Sequence, residues 1–373
     1  MFRPWLNCIL GPYGNAVRTA DFHYALPPEL IAQTPAPQRD QSRLLVLRRT
    51  EGQLEHRCFR DLPEYLRPGD VLVLNDSRVI PARLRARKGA AGGQLEVLLV
   101  EANARNDWWV MLRAGKRVRA GTELHFQTRA GASSLVTATV LAKNAEGHCR
   151  LRFAGVEDIR DALAWLGEAP LPPYIRRPGG ALPEDDERYQ TVYARPPGSV
   201  AAPTAGLHFT EALLERVRGH GVNVCFVTLH VGLGTFAPVK ARVIAEHLLH
   251  EEAYEVNAPT AAAVNEARKE GRRVIAVGTT TVRVLETVAR QNEGAVAASA
   301  GRTRLFIYPP FEFKVVDALL TNFHRPESTL LMLVSAFAAP GQTRGREVIL
   351  AAYAEAARRR YRFYSYGDAM LIL

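Results

Sequence analysis

The sequence contains few cysteines and no long hydrophobic run, and each of these absences limits what the protein can be. The four cysteines are scattered and form no CxxC pair, which argues against a zinc ribbon, a redox dithiol and a disulfide framework. No apolar run approaches the roughly 18 residues that are needed to cross a bilayer. We therefore expect a protein of the reducing cytoplasm that does not span a membrane.

Acidic residues are scarce in one part of the chain, and the resulting positive charge is the most unusual property of the composition. The whole chain of 373 residues carries 48 Lys and Arg against 38 Asp and Glu, a formal net charge of +10. Residues 78–153 alone hold 14 basic and 5 acidic side chains, a net of +9. This concentration favours an acidic partner such as a nucleic acid or an anionic lipid surface.

The basic segment is also predicted to form β structure. Five or six short runs of apolar or alternating residues follow one another there, bounded by Gly, Asn or charged turns and without a helical period. This pattern is typical of a small antiparallel barrel. Beyond residue 155 strands and helices alternate, which predicts a parallel or mixed sheet covered by helices.

These patterns predict a mixed-sheet α/β domain interrupted by a small antiparallel β-barrel domain. Residues 1–20 are expected to be an N-terminal extension. Residues 21–77 together with 154–373 are expected to form a discontinuous α/β catalytic domain, and 78–153 the inserted basic barrel. Thr210 and Ser328 precede apolar runs and are predicted to cap helices.

Residues that follow the predicted strands are rich in His, Thr and Gly, and ligands of α/β folds collect at the carboxyl ends of strands. Gly278 ends one predicted strand, and the helix after it can offer N–H groups to a carboxylate or phosphate. The junction lacks the GxGxxG and GxxxxGK[ST] spacings, so an ordinary capped helix explains it equally well.

Two histidines lie in loops that contain glycine, where imidazole can act as a general acid or base. His208 precedes a predicted helix and His230 follows a predicted strand. A structural histidine bonded to the backbone is the alternative for either one. His247 and His250 are spaced for a metal site, but a hydrated helix face with acidic neighbours explains this segment better.

Long collinear segments from Asp21 nearly to the C-terminus resemble one family, the S-adenosylmethionine:tRNA ribosyltransferase-isomerases of queuosine biosynthesis. The resemblance implies an α/β domain interrupted by a β-barrel. One departure is Pro310, which stands where the family usually has glycine and removes a backbone donor. The segments include GDVLVLNDSRVIPARL, GSVAAPTAGLHFT, VTLHVGLGTFAPV, RVIAVGTTTVRVLE, KVVDALLTNFHRPESTLLMLVSAFA and YRFYSYGDAML.

The reaction that the resemblance implies is transfer and isomerisation of the ribosyl group of S-adenosylmethionine onto 7-aminomethyl-7-deazaguanine in tRNA. Epoxyqueuosine forms, and adenine and methionine are released. The expected partners are thus tRNA and S-adenosylmethionine, the latter consumed as a substrate, with no metal, no redox cofactor and no membrane. We expect a monomer whose tasks are orientation, one base, one acid and exclusion of water.

Candidate residues are assigned from their positions in the matching motifs. The expected proton-handling set is His208, His230 and Asp317. Expected contacts to S-adenosylmethionine come from Thr204, Thr279, Thr280, Arg283, Asn322, His324, Tyr366 and Asp368, with Arg283 suited to the methionine carboxylate. Expected contacts to RNA phosphates come from Arg78, Arg83, Arg85, Arg87 and Lys88.

Two other functions are weighed against this one. An S-adenosylmethionine-dependent RNA methyltransferase would also need a basic surface, but no GxGxG-type loop follows an early strand. A non-enzymatic RNA-binding module would explain the basic barrel but not the near-neutral remainder of the chain. Release of adenine rather than S-adenosylhomocysteine would separate these alternatives.

Overall fold

The computed structural model describes residues 17–89, 92–115, 118–178, 180–232 and 239–373. The chain folds into two compact units. The α/β unit contains the described residues up to Ser77, together with 191–196 and Pro203–Leu373. The barrel unit contains Arg78–Gln190 and Pro197–Ala202.

The strands and helices of the described residues are numbered in chain order. The strands are β1 (Arg43–Arg48), β2 (Gln53–Cys58), β3 (Val71–Asn75), β4 (Arg78–Val79), β5 (Arg83–Lys88), β6 (Gln94–Ala104), β7 (Asp107–Arg113), β8 (Glu123–Gln127), β9 (Ser133–Lys143), β10 (Cys149–Ala154), β11 (Gly167–Glu168), β12 (Pro197–Ser199), β13 (Asn223–Leu229), β14 (Glu252–Val256), β15 (Val274–Val277), β16 (Ser299–Thr303), β17 (Ala318–Asn322) and β18 (Ala369–Ile372). The α-helices are α1 (Ile159–Leu166), α2 (Asp185–Arg188), α3 (Glu211–Gly219), α4 (Ala258–Lys269), α5 (Thr279–Gln291), α6 (Thr329–Ala338) and α7 (Gly345–Arg358).

The α/β unit is built on a mixed sheet whose described strands lie in the order β16-β14-β13-β3-β15-β17-β18-β1-β2. The four central strands β13, β3, β15 and β17 are parallel to their neighbours in that group. The flanking strands β14 and β18 run antiparallel to them. This arrangement confirms the predicted α/β fold with a mixed sheet.

The central strands are apolar along their whole length because both faces of the sheet are covered. All five residues of β3 are buried, as are all four of β15. On one face, Leu72, Leu74, Ile275 and Val277 share a core cluster with residues of α3. The sheet is thereby fixed firmly enough for its edges to position side chains.

Two of the sequence-predicted helix starts are confirmed in detail. The Thr210 hydroxyl accepts a hydrogen bond from the backbone N–H of Leu213 at 3.1 Å, and Ser328 does the same for Leu331 at 3.2 Å. Each side chain satisfies one N–H group that the first helical turn leaves without a partner. Helix α5 differs, since Gly278 precedes it with no side-chain cap.

The barrel unit contains a closed antiparallel barrel, as predicted. Six strands pair around the ring in the order β5-β6-β7-β10-β9-β8, and β8 returns to pair with β5. Closure leaves none of these strands at a free sheet edge. Apolar residues that alternate along the strands, such as Leu84 and Ala86, fill the interior and are completely buried.

The structure differs from the expected domain boundaries and element ends at three places. The barrel unit continues past residue 153 to Gln190. Within this added part, β11 pairs with β5 and extends its sheet. The sequence predicts one long helix over residues 347–363, but α7 ends at Arg358, because Arg360 takes a left-handed conformation with φ of 54°. The final strand β18 was not anticipated, and it links β17 to β1 within the sheet.

Among the described residues, no helix combines the length and apolar character required to cross a membrane. Residues 1–16 of the expected N-terminal extension lie outside the described residues. Thr19–Phe22 form a short 3-10 helix with Phe22 fully buried.

Candidate active site

The candidate site lies at the carboxyl ends of the parallel strands in the α/β unit. From β3 the chain continues to β13 on one side, whereas from β15 it continues to β17 on the other. Strands whose connections leave in opposite directions open a crevice between their carboxyl ends, and α/β proteins bind ligands there.

Asn75, the last residue of β3, connects the two sides of this crevice. Its Nδ2 donates to the backbone oxygen of Leu229 at 3.0 Å and to Oγ1 of Thr280 at 3.3 Å, while its Oδ1 accepts from the Leu229 N–H at 3.1 Å. The side chain is 1% exposed. Asn75 therefore holds the end of β13 and the first turn of α5 in fixed positions.

The next residue, Asp76, was not among the sequence-predicted site residues. Its Oδ1 accepts a hydrogen bond from the Thr228 hydroxyl at 2.7 Å. Burial raises the pKa of the Asp76 carboxyl, partly offset by this hydrogen bond and by Arg195. The signal in the sequence was available, because Asp76 directly follows the apolar run VLVLN.

His230 directly follows β13, the strand beside β3, and its charge state is influenced by Asp76. Burial lowers the pKa of His230, and the negative charge of Asp76 opposes that shift. Its Nδ1 is buried and has no hydrogen-bond partner among the residues that the structure describes. A neutral imidazole with an unused ring nitrogen beside a carboxylate can accept a proton, and the carboxylate can stabilise the imidazolium.

His208, by contrast, has both ring nitrogens engaged. The Asn322 amide Nδ2 donates to Nε2 at 3.1 Å and also donates to the Tyr364 carbonyl, so Nε2 must be an acceptor. Nδ1 then carries the proton and donates to Ser42 Oγ at 2.7 Å, whose hydroxyl faces the Arg39 carbonyl. Burial lowers the pKa of His208 to about 3, with a further contribution from nearby arginines.

Asn322, at the end of β17, is the residue that this histidine positions. Both donor contacts of its amide nitrogen are made within the protein, yet Oδ1 is buried without a partner among the described residues. The residue is 2% exposed. A buried amide oxygen without a donor costs about 1–3 kcal/mol, which a ligand N–H or O–H would recover.

The first turn of α5 completes the crevice. Gly278 has a φ of 87°, a conformation that side chains disfavour, and it provides no side-chain cap. The N–H groups of Thr279 and Thr280 begin the helix and therefore have no intrahelical partner. This helix end thus carries partial positive charge toward the edge where Asn75 and Asn322 lie.

Arg283, one turn further along α5, is buried against an acidic residue. Its Nη1 donates to Oε2 of Glu252, the first residue of β14, and its Nε donates to the Leu305 carbonyl at 3.1 Å. Glu252 was not predicted from the sequence, because it lies 31 residues away and follows no motif. Arg283 and Glu252 line the same pocket of the α/β unit.

The structure does not bring Asp317 into this group. Asp317 precedes β17, so it lies at the opposite edge of the sheet from Asn322. Its Oδ2 accepts a hydrogen bond from the backbone N–H of Val274 at the start of β15, at 2.8 Å. The expectation that it handles protons together with His208 and His230 is not supported by this position, and the contact has a structural purpose.

Two further predicted residues have internal partners. His324 Nε2 lies 2.8 Å from Oγ1 of Thr321, and burial lowers the pKa of His324 to about 3. Asp368 accepts backbone hydrogen bonds from Arg43 and Arg362 at 2.9 and 2.8 Å, while burial raises the pKa of its carboxyl. Both residues therefore form hydrogen bonds within the protein that hold segments near the carboxyl edge of the sheet in place.

The remaining predicted contacts lie on the segments around this edge. Thr204 begins the 3-10 helix Thr204–His208, and Tyr366 is buried in the segment before β18. The aromatic residues near the C-terminus form a core: Phe363 is fully buried and packs on Phe323 at 4.9 Å between ring centroids. The C-terminal aromatic segment is therefore part of the hydrophobic core.

The basic residues proposed to contact RNA lie in the barrel unit but differ in their surroundings. Arg83 and Arg85 face outward on β5, yet they pair with Glu96 at 3.8 Å and Glu168 at 2.5 Å. On the same strand, Arg87 has no acidic partner among the described residues. The same is true of Arg78, while Lys88 is exposed at the end of the strand. The unpaired arginines retain the most available charge.

A metal site is not indicated in the described part of the chain, where no group of three or more His, Cys, Asp or Glu side chains is arranged to hold an ion. His247 follows a single 3-10 turn and its ring contacts that of Phe306 at 5.4 Å. The histidine pair therefore does not lie on one face of an α-helix.

With these groups gathered at the strand ends and a barrel inserted after β3, the protein falls in the class of two-unit α/β proteins whose candidate site lies at the carboxyl edge of the sheet. Comparison with known proteins is more specific. The chain belongs to the queuosine biosynthesis protein family, whose model matches residues 19–372.

Curated relatives extend over nearly the whole chain. A protein of Carboxydothermus hydrogenoformans is 52% identical over 358 residues, covering 96% of this chain and 100% of the relative, and one of Symbiobacterium thermophilum is 51% identical with the same coverage. Both are named S-adenosylmethionine:tRNA ribosyltransferase-isomerase. A crystal structure of S-adenosylmethionine tRNA ribosyltransferase from Thermotoga maritima is similar, with 42% identity, a TM-score of 0.53, and coverage of 95% of this chain and 100% of that one.

Proposed function

We propose that this protein is an S-adenosylmethionine:tRNA ribosyltransferase-isomerase. It transfers and isomerises the ribosyl group of S-adenosylmethionine onto 7-aminomethyl-7-deazaguanine in tRNA, giving epoxyqueuosine and releasing adenine and methionine. The observation that carries the proposal is the buried Nδ1 of His230, which has no hydrogen-bond partner among the described residues and feels the charge of Asp76, in a chain about half identical to the named enzymes along its length.

His230 is the base in this proposal. The positive sulfonium acidifies the adjacent C5′ hydrogens, so a neutral imidazole can remove one of them. Asp76 then stabilises the imidazolium, as the two groups already interact electrostatically. The proposal gives no proton-handling role to His208, since its two nitrogens already have partners, or to Asp317, since it lies at the opposite edge of the sheet.

His208 instead acts as a positioning residue for Asn322. The amide is held through its nitrogen, and its Oδ1, which has no partner in the described part of the chain, accepts a hydrogen bond from an N–H or O–H group of the substrate. The first turn of α5 contains Thr279 and Thr280, and its N–H groups have no partner within the helix. In this proposal they stabilise negative charge on the substrate, whether it is present from the start or forms during the reaction. Four further residues support the shape of this part of the site: Thr204, His324, Tyr366 and Asp368.

The barrel unit is proposed to contact tRNA through basic side chains. Arg78 and Arg87 lack acidic partners among the described residues, so they are the strongest candidates for phosphate contacts. Lys88 is exposed beside them. Arg83 and Arg85 contribute less, because carboxylates already balance their charge. We propose that the enzyme acts in the cytoplasm as a monomer, without a metal or redox cofactor.

The test is to incubate the protein with S-adenosylmethionine and tRNA that carries 7-aminomethyl-7-deazaguanine, and to measure free adenine. The wild-type protein should release adenine, and His230→Gln should reduce its rate by about 100-fold or more, in the range of general-base catalysis. His23→Gln is the matched control, since His23 is an exposed residue paired with Glu327. Folded protein that releases no adenine would refute the proposed function, and release of S-adenosylhomocysteine would indicate a methyltransferase.

A further inference from the structure

The C-terminal end of α7 carries an exposed positive surface that the proposed function does not use. Arg358 is the last residue of the helix, and Arg359 and Arg360 directly follow it. The side chains of Arg358 and Arg359 are 68% and 48% exposed, and Arg360 is also exposed. We call these three arginines the α7 basic patch. The near-neutral charge of the chain outside the barrel is a sum, and it conceals this local excess.

A single carboxylate is paired with the α7 basic patch in the described part of the chain. Glu355 accepts two hydrogen bonds from Arg358, both at 2.8 Å, and one from Nε of Arg359 at 2.7 Å. These contacts lower the pKa of Glu355 to about 2. Arg360 has no ion-pair partner among the described residues. Three arginines against one carboxylate leave the patch with a net positive charge.

A histidine beside the patch is influenced by the same excess of positive charge. His56 lies on β2, the last strand of the sheet, with its Nε2 3.6 Å from Glu355. Burial lowers the pKa of His56, and three nearby arginines lower it further while Glu355 opposes them. The charges around this ring are therefore mainly positive, which is the electrostatic complement of a polyanion. The three arginines are Arg359, Arg43 and Arg358.

The backbone of Arg360 has a conformation that glycine would adopt at lower cost. Its φ is 54°. The Arg360 N–H donates to the Ala357 carbonyl and the Tyr361 N–H donates to the Ala356 carbonyl, both at 2.9 Å. These are the two hydrogen bonds of a Schellman helix end, whose left-handed residue is usually glycine because a Cβ strains it. A strained residue with an exposed charge indicates a use for its side chain.

The helix dipole does not explain this arginine. A cation near the C-terminus of a helix is stabilised by the dipole, and Arg358 in the last turn already has that role. The dipole does not require a strained residue one position beyond the cap. Arg360 therefore retains an exposed guanidinium that the fold of the helix does not need.

We propose that the α7 basic patch is a second RNA-contacting surface, which binds phosphate groups of tRNA from the α/β unit. Arg360 makes the principal contact, because a guanidinium presents its N–H groups in a plane that matches two phosphate oxygens. Arg358 and Arg359 add the N–H groups that Glu355 does not occupy. The inference rests on the proposed function, which makes tRNA the substrate.

An anionic membrane is the other polyanionic partner, and the surroundings of the patch favour it less. Surfaces that bind membranes add exposed apolar side chains to their basic residues. The apolar residues next to the patch, Ala356 and Tyr361, are fully buried. The patch therefore offers charge without an apolar anchor, as expected for contacts to a phosphate backbone.

The experiment measures binding of tRNA to the full-length protein at several salt concentrations. Arg360→Gly should weaken binding by about 3- to 10-fold at 0.1 M salt and reduce the salt slope by about 1. The same substitution should raise the melting temperature by about 1–3 °C, because glycine relieves the backbone strain. A merely structural arginine would not combine a gain in stability with a loss of RNA affinity. Arg360→Lys retains the charge and should bind tRNA within about twofold of the wild type.

Arg344→Gln is the matched control, since it removes the same charge at the other end of α7. The helix has 14 residues, so this side chain lies about 20 Å away along the helix axis. Its tRNA affinity should equal that of the wild type. Binding of S-adenosylmethionine should be unchanged in all variants, because none of the substituted residues is a candidate contact to that substrate.

The outcomes separate this inference from the proposed function. If Arg360→Gly binds tRNA with the affinity and salt slope of the wild type, or if Arg344→Gln loses as much affinity, the patch is not an RNA contact, and adenine release still tests the proposed function. Wild-type protein that binds no tRNA would refute both. If Arg360→Gly loses binding only to phosphatidylglycerol vesicles, the patch contacts lipid and the inference is overturned.

Discussion

Lowering the pH should destabilise the α/β unit through His208, and this consequence of its geometry can be measured. The ring is neutral because burial and nearby arginines lower its pKa to about 3. In the unfolded chain the same imidazole titrates near its ordinary pKa of about 6.5. Between these two values the unfolded chain binds a proton that the folded protein excludes, so stability decreases as the pH falls.

The size of this effect follows from the two pKa values. The contribution of His208 is fully present above about pH 6.5 and is lost progressively down to about pH 3. At pH 5 the expected loss from this residue is about 2 kcal/mol. That is a large part of the net stability of an ordinary domain.

The assay compares urea unfolding of the wild type and of His208→Gln at pH 7.5 and pH 5.0. Glutamine keeps a donor and an acceptor but does not titrate, so the free-energy difference between the two proteins should shrink by about 2 kcal/mol at the lower pH. Circular dichroism at 222 nm reports mainly the α/β unit, which contains α3–α7. Fluorescence from Trp108, Trp109 and Trp165 reports the barrel unit.

A difference that stays the same at both pH values would refute this reasoning. His208 would then titrate alike in the folded and unfolded protein, and the neutral chain of hydrogen bonds from Asn322 to Ser42 would be wrong. His208 would return to consideration as a proton carrier. His23→Gln provides the control, because its ring is largely exposed.

Four other substitutions have distinct expected results. Asp317→Asn should leave binding of S-adenosylmethionine unchanged and cost about 1 kcal/mol in urea unfolding, because it weakens one backbone hydrogen bond far from the carboxyl edge. Gly278→Ala should cost about 1–2 kcal/mol in the same assay, since the strain of a φ of 87° outweighs the ordinary contacts that a Cβ would make. Arg87→Glu should lower tRNA affinity and reduce the salt slope by about 1 in filter binding, whereas Arg85→Glu should do less because Glu168 already neutralises Arg85.

Elements with a strong local signal could be predicted from the sequence. The strand Val71–Asn75 is a continuous apolar run, and the caps Thr210 and Ser328 stand directly before apolar periodic segments. The barrel could be predicted from repeated short alternating runs. Strand β18 could not be predicted, because it has only a few apolar residues and they follow an aromatic segment. Its strand conformation depends on pairing with the neighbouring strands of the sheet.

The site was only partly predictable for the same reason. Residues at or directly after the ends of strands, such as Asn322 and His230, could be found because parallel strands end at a common edge. The pairing of Arg283 with Glu252 joins a helix to a distant strand, and no spacing in the sequence encodes it. The position of Asp317 was misjudged because a residue before a strand and a residue at its end are only a few positions apart in the sequence. In the structure they lie at opposite edges of the sheet.

The central place of β3 has a consequence for how the protein is made. β3 is synthesised early, but its two neighbours in the sheet, β13 and β15, come only after the whole barrel unit has been translated. The barrel strands pair mostly with nearby segments, so they can close while β3 still has no partner. The apolar segment VLVLN therefore passes through synthesis without its sheet partners, and we expect it to need protection from aggregation during that time.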